Sequence, residues 1–366
     1  MSLDALRKAF LLFAATQCVG HSPLYERLSI GIADDELLLE LLRSVAPSQQ
    51  RPTLLFAAVH ELVGQEPRHP LAMYYASVTS QVAEGDPLPA FRDFCSSHRE
   101  QLLGRMRTGR TQTNDVRRSA ALAIGLHYLQ AQLSKPLVLV ELGASAGLLL
   151  SFDRYRINLG GHFLGPEDSP VDVPVAADQQ MLALLPPAMP YPVDRIGVDL
   201  APVDLGDPSQ VRWLEAFVWP EAHEDRERLR AAVALARTDP PLVVQGDAVT
   251  NLPAILDAIS EAYAPVVFHS TLLTYLDAFQ RQAIAECLET VGSRRELGWL
   301  PLEAPGFLIA MEPAFPVPSD LATQNSQFVL AARWWNEAVS KSSVLAQADA
   351  YGRYIRGVDD SERTAQ

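Results

Sequence analysis

Residues 137–150 read LVLVELGASAGLLL. LVLVEL (137–142) is a short continuous apolar run of the kind that forms a strand buried on both faces of a parallel sheet. GASAG (143–147) follows as a glycine turn, and a second apolar run predicts a helix after it. Gly143 and Gly147 lack a Cβ, so the backbone can turn tightly and approach a ligand, and a helix start directs its amides at the same place. Two ligand-binding turns are excluded by the letters. A phosphate-binding loop of the form GxxxxGK[ST] needs a Lys after its last glycine, and Leu148 stands there. A dinucleotide GxGxxG needs glycines where Ser145 and Leu148 lie. What remains is acidic-x-Gly-x-x-x-Gly, carried by Glu141, Gly143 and Gly147 with Ser145 inside the turn. A plain strand–turn–helix without a cofactor is the alternative.

Downstream, strand patterns recur at RIGVDL (195–200), PLVVQGD (241–247), PVVFHS (265–270) and GFLIAME (306–312), with ELGWLPL (296–302) as a further candidate. Helical patterns lie between them, chiefly 208–218, 224–236, 251–263 and 277–291. Strand–helix alternation predicts a doubly wound, mostly parallel Rossmann-like α/β sheet. YRINLGGHFLG (155–165) reads as a hairpin around Asn-Leu-Gly-Gly. The Pro-rich 166–192 reads as loop around one short helix, and 326–358 as edge strands. Upstream of Lys135-Pro136 only helical patterns occur: 34–45, 51–64, 69–84, 91–106 and 114–133. The expected division is therefore an all-helical N-terminal domain (1–133) and an α/β domain (134–366) with an insertion at about 155–192.

Two more carboxylates end strands. Asp199 closes RIGVDL, where an acid can accept hydrogen bonds from ribose hydroxyls. It lies much further from the turn than the roughly 20 residues of a minimal unit, which is why 155–192 must be an insertion. Asp247 closes LVVQGD and is followed by Ala248. Each Asp alone also fits a helix cap or turn. Glu141, Gly143, Ser145 and Gly147 together resemble the first motif of class I S-adenosylmethionine (SAM) methyltransferases. The resemblance implies that the turn passes under the methionine part of the cofactor and that Glu141 contacts it. Gly246-Asp247-Ala248 resembles the motif of the same class whose acid reads the adenine amino group. More of the chain is similar to one uncharacterised bacterial family, domain-of-unknown-function family 2332: SPLYERLSIGIA (22–33), RPTLLFAAVHEL (51–62), HPLAMYY (69–75), QTNDVRR (112–118), VELGASAGLLLSFDRYR (140–156), GVDLAPVDL (197–205), VWPE (218–221), QGDA (245–248) and VFHSTLLTYL (267–276). That resemblance implies a helical part joined to a methyltransferase-like domain, and no established reaction.

His269 follows VVF at a strand end, where a neutral imidazole suits a catalytic base; a histidine tied to neighbouring backbone fits as well. RTGRTQTNDVRR (107–118) is an isolated basic segment, either an anion-binding rim or a solvated loop and helix start. Gln112, Asn114 and Arg117 within it are the candidate acceptor-binding residues, with Tyr155 from the opposite wall. FDRYR (152–156) holds either an Arg clamp or an Arg–Asp pair. His60, on an apolar helix, reads as a satisfied core histidine. Glu312 faces the pocket or caps the last strand.

Composition sets the outer limits. The net charge is −14, which opposes approach to phosphate backbones. No nucleic-acid partner is expected, and a small-molecule substrate is. With 48% hydrophobic residues the chain buries a sizeable core. Cys18, Cys95 and Cys287 show no ligand spacing, so no metal site or disulfide framework is expected, and the thiols suit a cytoplasmic protein. The apolar run after Arg7-Lys8 is short and helically spaced, which predicts an amphipathic helix rather than a secretion signal. No run reaches the roughly 20 apolar residues of a membrane span. The expected activity is methyl transfer from SAM to a small or medium polar acceptor, by a base such as His269 where the acceptor must lose a proton. The competing expectation is a non-catalytic protein of the same fold that binds a nucleoside or other small ligand.

Overall fold

The computed structural model describes residues 1–112, 114–182, 185–311, 327–336 and 339–358. The chain divides into two compact units, Met1–Thr113 with Asp204–Leu229, and Asn114–Val203 with Arg230–Gln366. Neither is contiguous. Residues 114–133 cluster with the sheet and 204–229 with the helices, so the units are drawn differently from a single cut at 133/134.

The first unit is helical. Its helices begin where capping chemistry places them. Ser2 accepts from the Ala5 amide at 3.1 Å, Ser22 from Tyr25 at 3.2 Å, and Asp35 from Leu37 and Leu38. Pro23 and Pro52 occupy first turns. Phe10, Phe56, Phe91 and Phe94 are fully buried at its centre, with Tyr25 stacked on Phe56 at 4.2 Å between centroids. Two expected helices come out differently. In 69–84 only a 3-10 turn forms, Pro70–Tyr74. His69 Nδ1 accepts from the Leu71 amide and Thr79 Oγ1 from Gln81, local bonds that compete with a helical ladder. The pattern at 91–106 becomes two helices, Leu88–Ser97 and Arg99–Thr108, separated at His98, whose backbone leaves the helical region.

The second unit is a mixed α/β structure around one large, mostly parallel sheet. Its strands are β1 (Leu137–Leu142), β2 (Arg156–Leu159), β3 (His162–Leu164), β4 (Asp172–Ala177), β5 (Asp194–Asp199), β6 (Val243–Gln245), β7 (Ala264–Ser270), β8 (Leu297–Glu303), β9 (Gln327–Asn336), β10 (Val339–Asp349) and β11 (Tyr354–Gly357). They lie in the order β3-β2-β4-β11-β10-β9-β8-β7-β1-β5-β6. From β6 to β8 every pair is parallel, with β1 between β5 and β7. The sequence order reverses beside β1, the kind of switch point where open α/β sheets bind ligands at their carboxyl ends. Helix Ser119–Gln130 covers one face, with Gly125 giving way to Leu300 of β8: a Cβ there would lie 2.3 Å from Leu300 Cδ1. On the other face Leu252, Leu256, Ile284 and Leu288, from helices Ala248–Ala258 and Ala278–Gly292, pack with Val140, Leu142, Val267, Trp299 and Trp335.

The 155–165 hairpin forms as β2–β3. Gly160 (φ 59°) and Gly161 (φ 99°) make its turn, and Asn158 Oδ1 accepts from the Gly161 amide. Three expectations are corrected. The Pro-rich insertion contains β4, in which Val173 and Val175 are buried while Asp172, Pro174 and Ala176 are exposed; its prolines conceal a period-2 pattern. GFLIAME (306–312) is not a strand. Pro305–Met311 is a helix, since proline suits a helix start and a short apolar run fits a buried helix equally well; Glu312 lies outside the described residues. The segment after GASAG is a kinked 3-10 stretch, Leu148–Arg154, non-helical at Ser151. The Tyr155 hydroxyl donates to the Leu148 carbonyl at 2.5 Å and so occupies an acceptor that an α-helix would use.

Candidate functional site

The carboxyl ends of β1, β5, β6 and β7 bring together most of the residues singled out by sequence. The β1 turn is unusual in its backbone: Gly143, Ser145 and Gly147 all adopt positive φ, 73°, 52° and 67°. Ser145 tolerates this because it is tied from three sides. Its amide donates to Asp199 Oδ2 at 2.8 Å, its hydroxyl accepts from Asn114 Nδ2 at 2.9 Å, and its carbonyl accepts from Val203 at 3.1 Å. The amides of Gly143 and Ala144 donate to the Val198 carbonyl, and that of Gly147 to the Ala144 carbonyl. The Gly143, Ala144, Ser145 and Gly147 amides are thus all committed within the protein.

Glu141 is 4% exposed and its Oε2 has no hydrogen-bond partner among the described residues. Burial pushes its carboxyl well above the usual range, the like charge of Asp199 adds to this, and Arg118 offsets part of it. Arg118 is itself buried and donates Nε and Nη2 to the Ala350 carbonyl. A buried carboxyl oxygen without a partner is costly, which makes this atom a candidate ligand contact. Asp199 is more committed: Oδ2 takes Ser145 N and Oδ1 takes Ala201 N at 2.8 Å. Asp247 caps helix Ala248–Ala258, accepting from Val249 and Thr250. The Gly246 amide donates to the Asp199 carbonyl at 2.8 Å and joins the two strand ends. Ala248, first in that helix, is buried.

Other expected residues fall elsewhere. His269 is 0% exposed. Its Nε2 accepts from Trp299 Nε1 at 2.9 Å, and its Nδ1 meets Glu303 Oε1 at 2.9 Å. Indole N–H is donor-only, so the ring is the Nδ1–H tautomer with both nitrogens engaged, and the role of catalytic base is withdrawn. Tyr155 is also fully buried, bracing Leu148, and is not the wall of an acceptor site. Arg117 is 8% exposed, with Gly352 packed against its backbone, and is not an exposed rim cation. Gln112 is half-buried and belongs to the helical unit. Within FDRYR, Asp153 pairs bidentately with Arg195, at 2.5 and 3.0 Å, rather than with a neighbouring arginine.

Sequence reasoning missed Glu303, which accepts from His269 and from the Leu272 and Leu273 amides. The signal was present, since Glu303 is an acid immediately beyond ELGWLPL, as Asp199 is the acid of RIGVDL. It also missed Ser270 and Thr271. Their hydroxyl oxygens are buried without partners among the described residues, and Thr271 sits at φ 62°. Among the described residues no group of three or more His, Cys, Asp or Glu is gathered as a metal would require, and no helix is long and apolar enough to cross a membrane.

The helical unit holds a second polar concentration. His60 Nδ1 donates to the Ala216 carbonyl at 3.1 Å, while Nε2 lies 2.7 Å from Ser77 Oγ and 3.4 Å from Arg226 Nη2. Burial and the Arg226 charge lower its pKa to about 3. Glu221 accepts from Ser22 Oγ and the Leu24 amide, capping helix Pro23–Ala33.

A mixed α/β structure around a mostly parallel sheet, with its strand order reversing beside β1, defines the class, and comparison with known proteins defines the family. Residues 7–356 match the family model described as an uncharacterised protein conserved in bacteria, DUF2332, and the chain belongs to that family. No curated protein matches it. Among solved structures, the crystal structure of protein LPL1258 from Legionella pneumophila is similar at 14% identity and a TM-score of 0.26, over 55% of this chain and 74% of that one.

Proposed function

We propose that the sheet unit binds SAM and that the protein is a methyltransferase acting on a small or medium polar acceptor in the cytoplasm. The observation that carries this reading is the partnerless Oε2 of buried Glu141, at the β1 turn beside the strand-order reversal. The committed amides of the turn favour a ligand held by side chains and shape over one held by phosphate. Glu141, Gly143, Ser145 and Gly147 would hold the amino-acid end, Asp199 the ribose, and Asp247 with Ala248 the base. SAM supplies an electrophilic methyl group when bound.

The chain's own part is positioning. Asn114 and Asp199 fix Ser145, and Ser145 fixes the turn. In-line displacement needs mainly orientation and exclusion of water, so an acceptor that carries a free lone pair needs no base from the chain. The locking of His269 favours a second reading: a non-catalytic protein that binds a nucleoside at the same edge.

Calorimetric titration with SAM, its demethylated product S-adenosylhomocysteine (SAH) and NAD tests the site. The proposal expects heat from both sulfur nucleosides and none from NAD; folded protein that takes neither at millimolar concentration overturns it. Appearance of SAH in the presence of an acceptor panel separates enzyme from binder.

A further inference from the structure

Strand alternation sorts the edge residues by face. Leu142 is paired with His269, and both face the layer of Trp299 and Glu303. Glu141 is paired with Phe268, so Glu141, Phe268 and Ser270 share the opposite face, the one covered by helix Ser119–Gln130. Ser270 therefore lies one step beyond Glu141's neighbour, at the carboxyl edge of the adjacent strand, and Thr271 follows it. Three buried oxygens of this edge have no partner among the described residues: Glu141 Oε2, Ser270 Oγ and Thr271 Oγ1.

Thr271 is also held in a strained backbone conformation. A β-branched residue at φ 62° is a steric outlier, and such strain persists only where surroundings impose it, commonly at ligand sites. Here the imposing group is visible. Glu303 Oε1 takes the Leu272 and Leu273 amides at 2.7 and 3.3 Å, holding the chain just after Thr271. Leu272 in turn lies against Gly143, where a Cβ would be 3.0 Å from its Cδ1. The loop after β7 is thus packed onto the β1 turn with two hydroxyls left over.

We propose that Ser270 and Thr271 form, with Glu141, a subsite for an ammonium group of the bound ligand. Glu141, whose charged form a neighbouring cation favours, and two hydroxyls offer acceptors to three N–H donors, and Arg118 nearby is directed at the Ala350 carbonyl. The subsite rests on the reading of this edge as a SAM site, in which the ammonium belongs to the amino-acid tail.

The test compares SAH with 5′-methylthioadenosine, which lacks that tail, by calorimetry on the full chain. The variants are Ser270→Ala, Thr271→Val and Thr271→Gly, the last of which relieves the positive φ and removes the hydroxyl. Wild type is expected to bind SAH more tightly than methylthioadenosine. Ser270→Ala with either Thr271 variant should weaken SAH at least tenfold and leave methylthioadenosine within twofold. Unchanged SAH affinity in Thr271→Gly and Ser270→Ala, as when ordered water alone satisfies the hydroxyls, overturns the subsite. An equal fall for both ligands overturns it too. Wild type that binds neither ligand overturns the SAM reading itself, and the subsite with it.

Discussion

Trp299 Nε1 donates to His269 Nε2 at 2.9 Å, and this single bond sets the chemistry of the histidine. It forces the other nitrogen to carry the proton toward Glu303, whose Oε1 also gathers two loop amides. The trio Trp299–His269–Glu303 is a brace under the β7 loop. Removing its hub leaves three donors without an acceptor, two buried and one partly buried, each costing about 1 kcal/mol. Glu303→Ala is therefore expected to lose about 3 kcal/mol in urea unfolding. A loss below about 0.5 kcal/mol, the size of an ordinary surface substitution, contradicts the brace.

Glu141 should trade stability for binding. Its carboxyl is held above its ordinary value in the folded protein, so the folded state favours the protonated form. That contribution is complete below the ordinary value of 4.5 and is lost as pH rises above it. Glu141→Gln keeps a neutral group and escapes the loss. Its melting temperature should exceed that of wild type at pH 8 and converge with it at pH 4, while SAH binding falls at least tenfold. A variant less stable than wild type at pH 8 contradicts the orphaned-carboxyl account.

His60 carries the opposite sign. Its folded pKa of about 3 lies below the unfolded 6.5, so its contribution is intact above pH 6.5 and is lost as pH falls toward 3. The full loss amounts to about 5 kcal/mol at the usual conversion per pKa unit. His60→Gln should flatten the acid limb of the stability–pH curve between 6.5 and 3. An unchanged limb would place the acid sensitivity elsewhere.

Gly147 is needed for two reasons at once. It sits at φ 67°, and an added Cβ would lie 2.7 Å from Pro241 Cγ and 2.8 Å from Val243 Cγ2. Left-handed strain of roughly 1–2 kcal/mol adds to overpacking of similar size. Gly147→Ala is expected to lower stability by about 3 kcal/mol and to weaken SAH binding; wild-type behaviour on both counts contradicts a rigid turn.

The sheet was legible in the sequence where burial is simple. LVLVEL, PVVFHS and RIGVDL are strands because continuous apolar runs between helices have few other uses. It was not legible where two structures share one pattern. GFLIAME satisfies a buried strand and a buried helix equally, and Pro305 chose the helix. In β4 alternating valines are interrupted by Pro174, which reads as loop until its neighbours are known. The edge carboxylates Glu141, Asp199 and Asp247 were visible as acids ending strands. His269 was misread because its fate depends on Trp299, whose indole comes from the next strand and whose register no local spacing reveals. Ser270 and Thr271 were passed over because an ordinary hydroxyl becomes informative only once its partners are found missing.

The most direct measurement is a crystal structure of the full chain grown with SAH. The account requires the nucleoside at the carboxyl ends of β1, β5 and β6, its ribose within hydrogen-bond reach of Asp199 and its amino group on Glu141. Nucleoside bound elsewhere, or that edge empty at millimolar SAH, contradicts it.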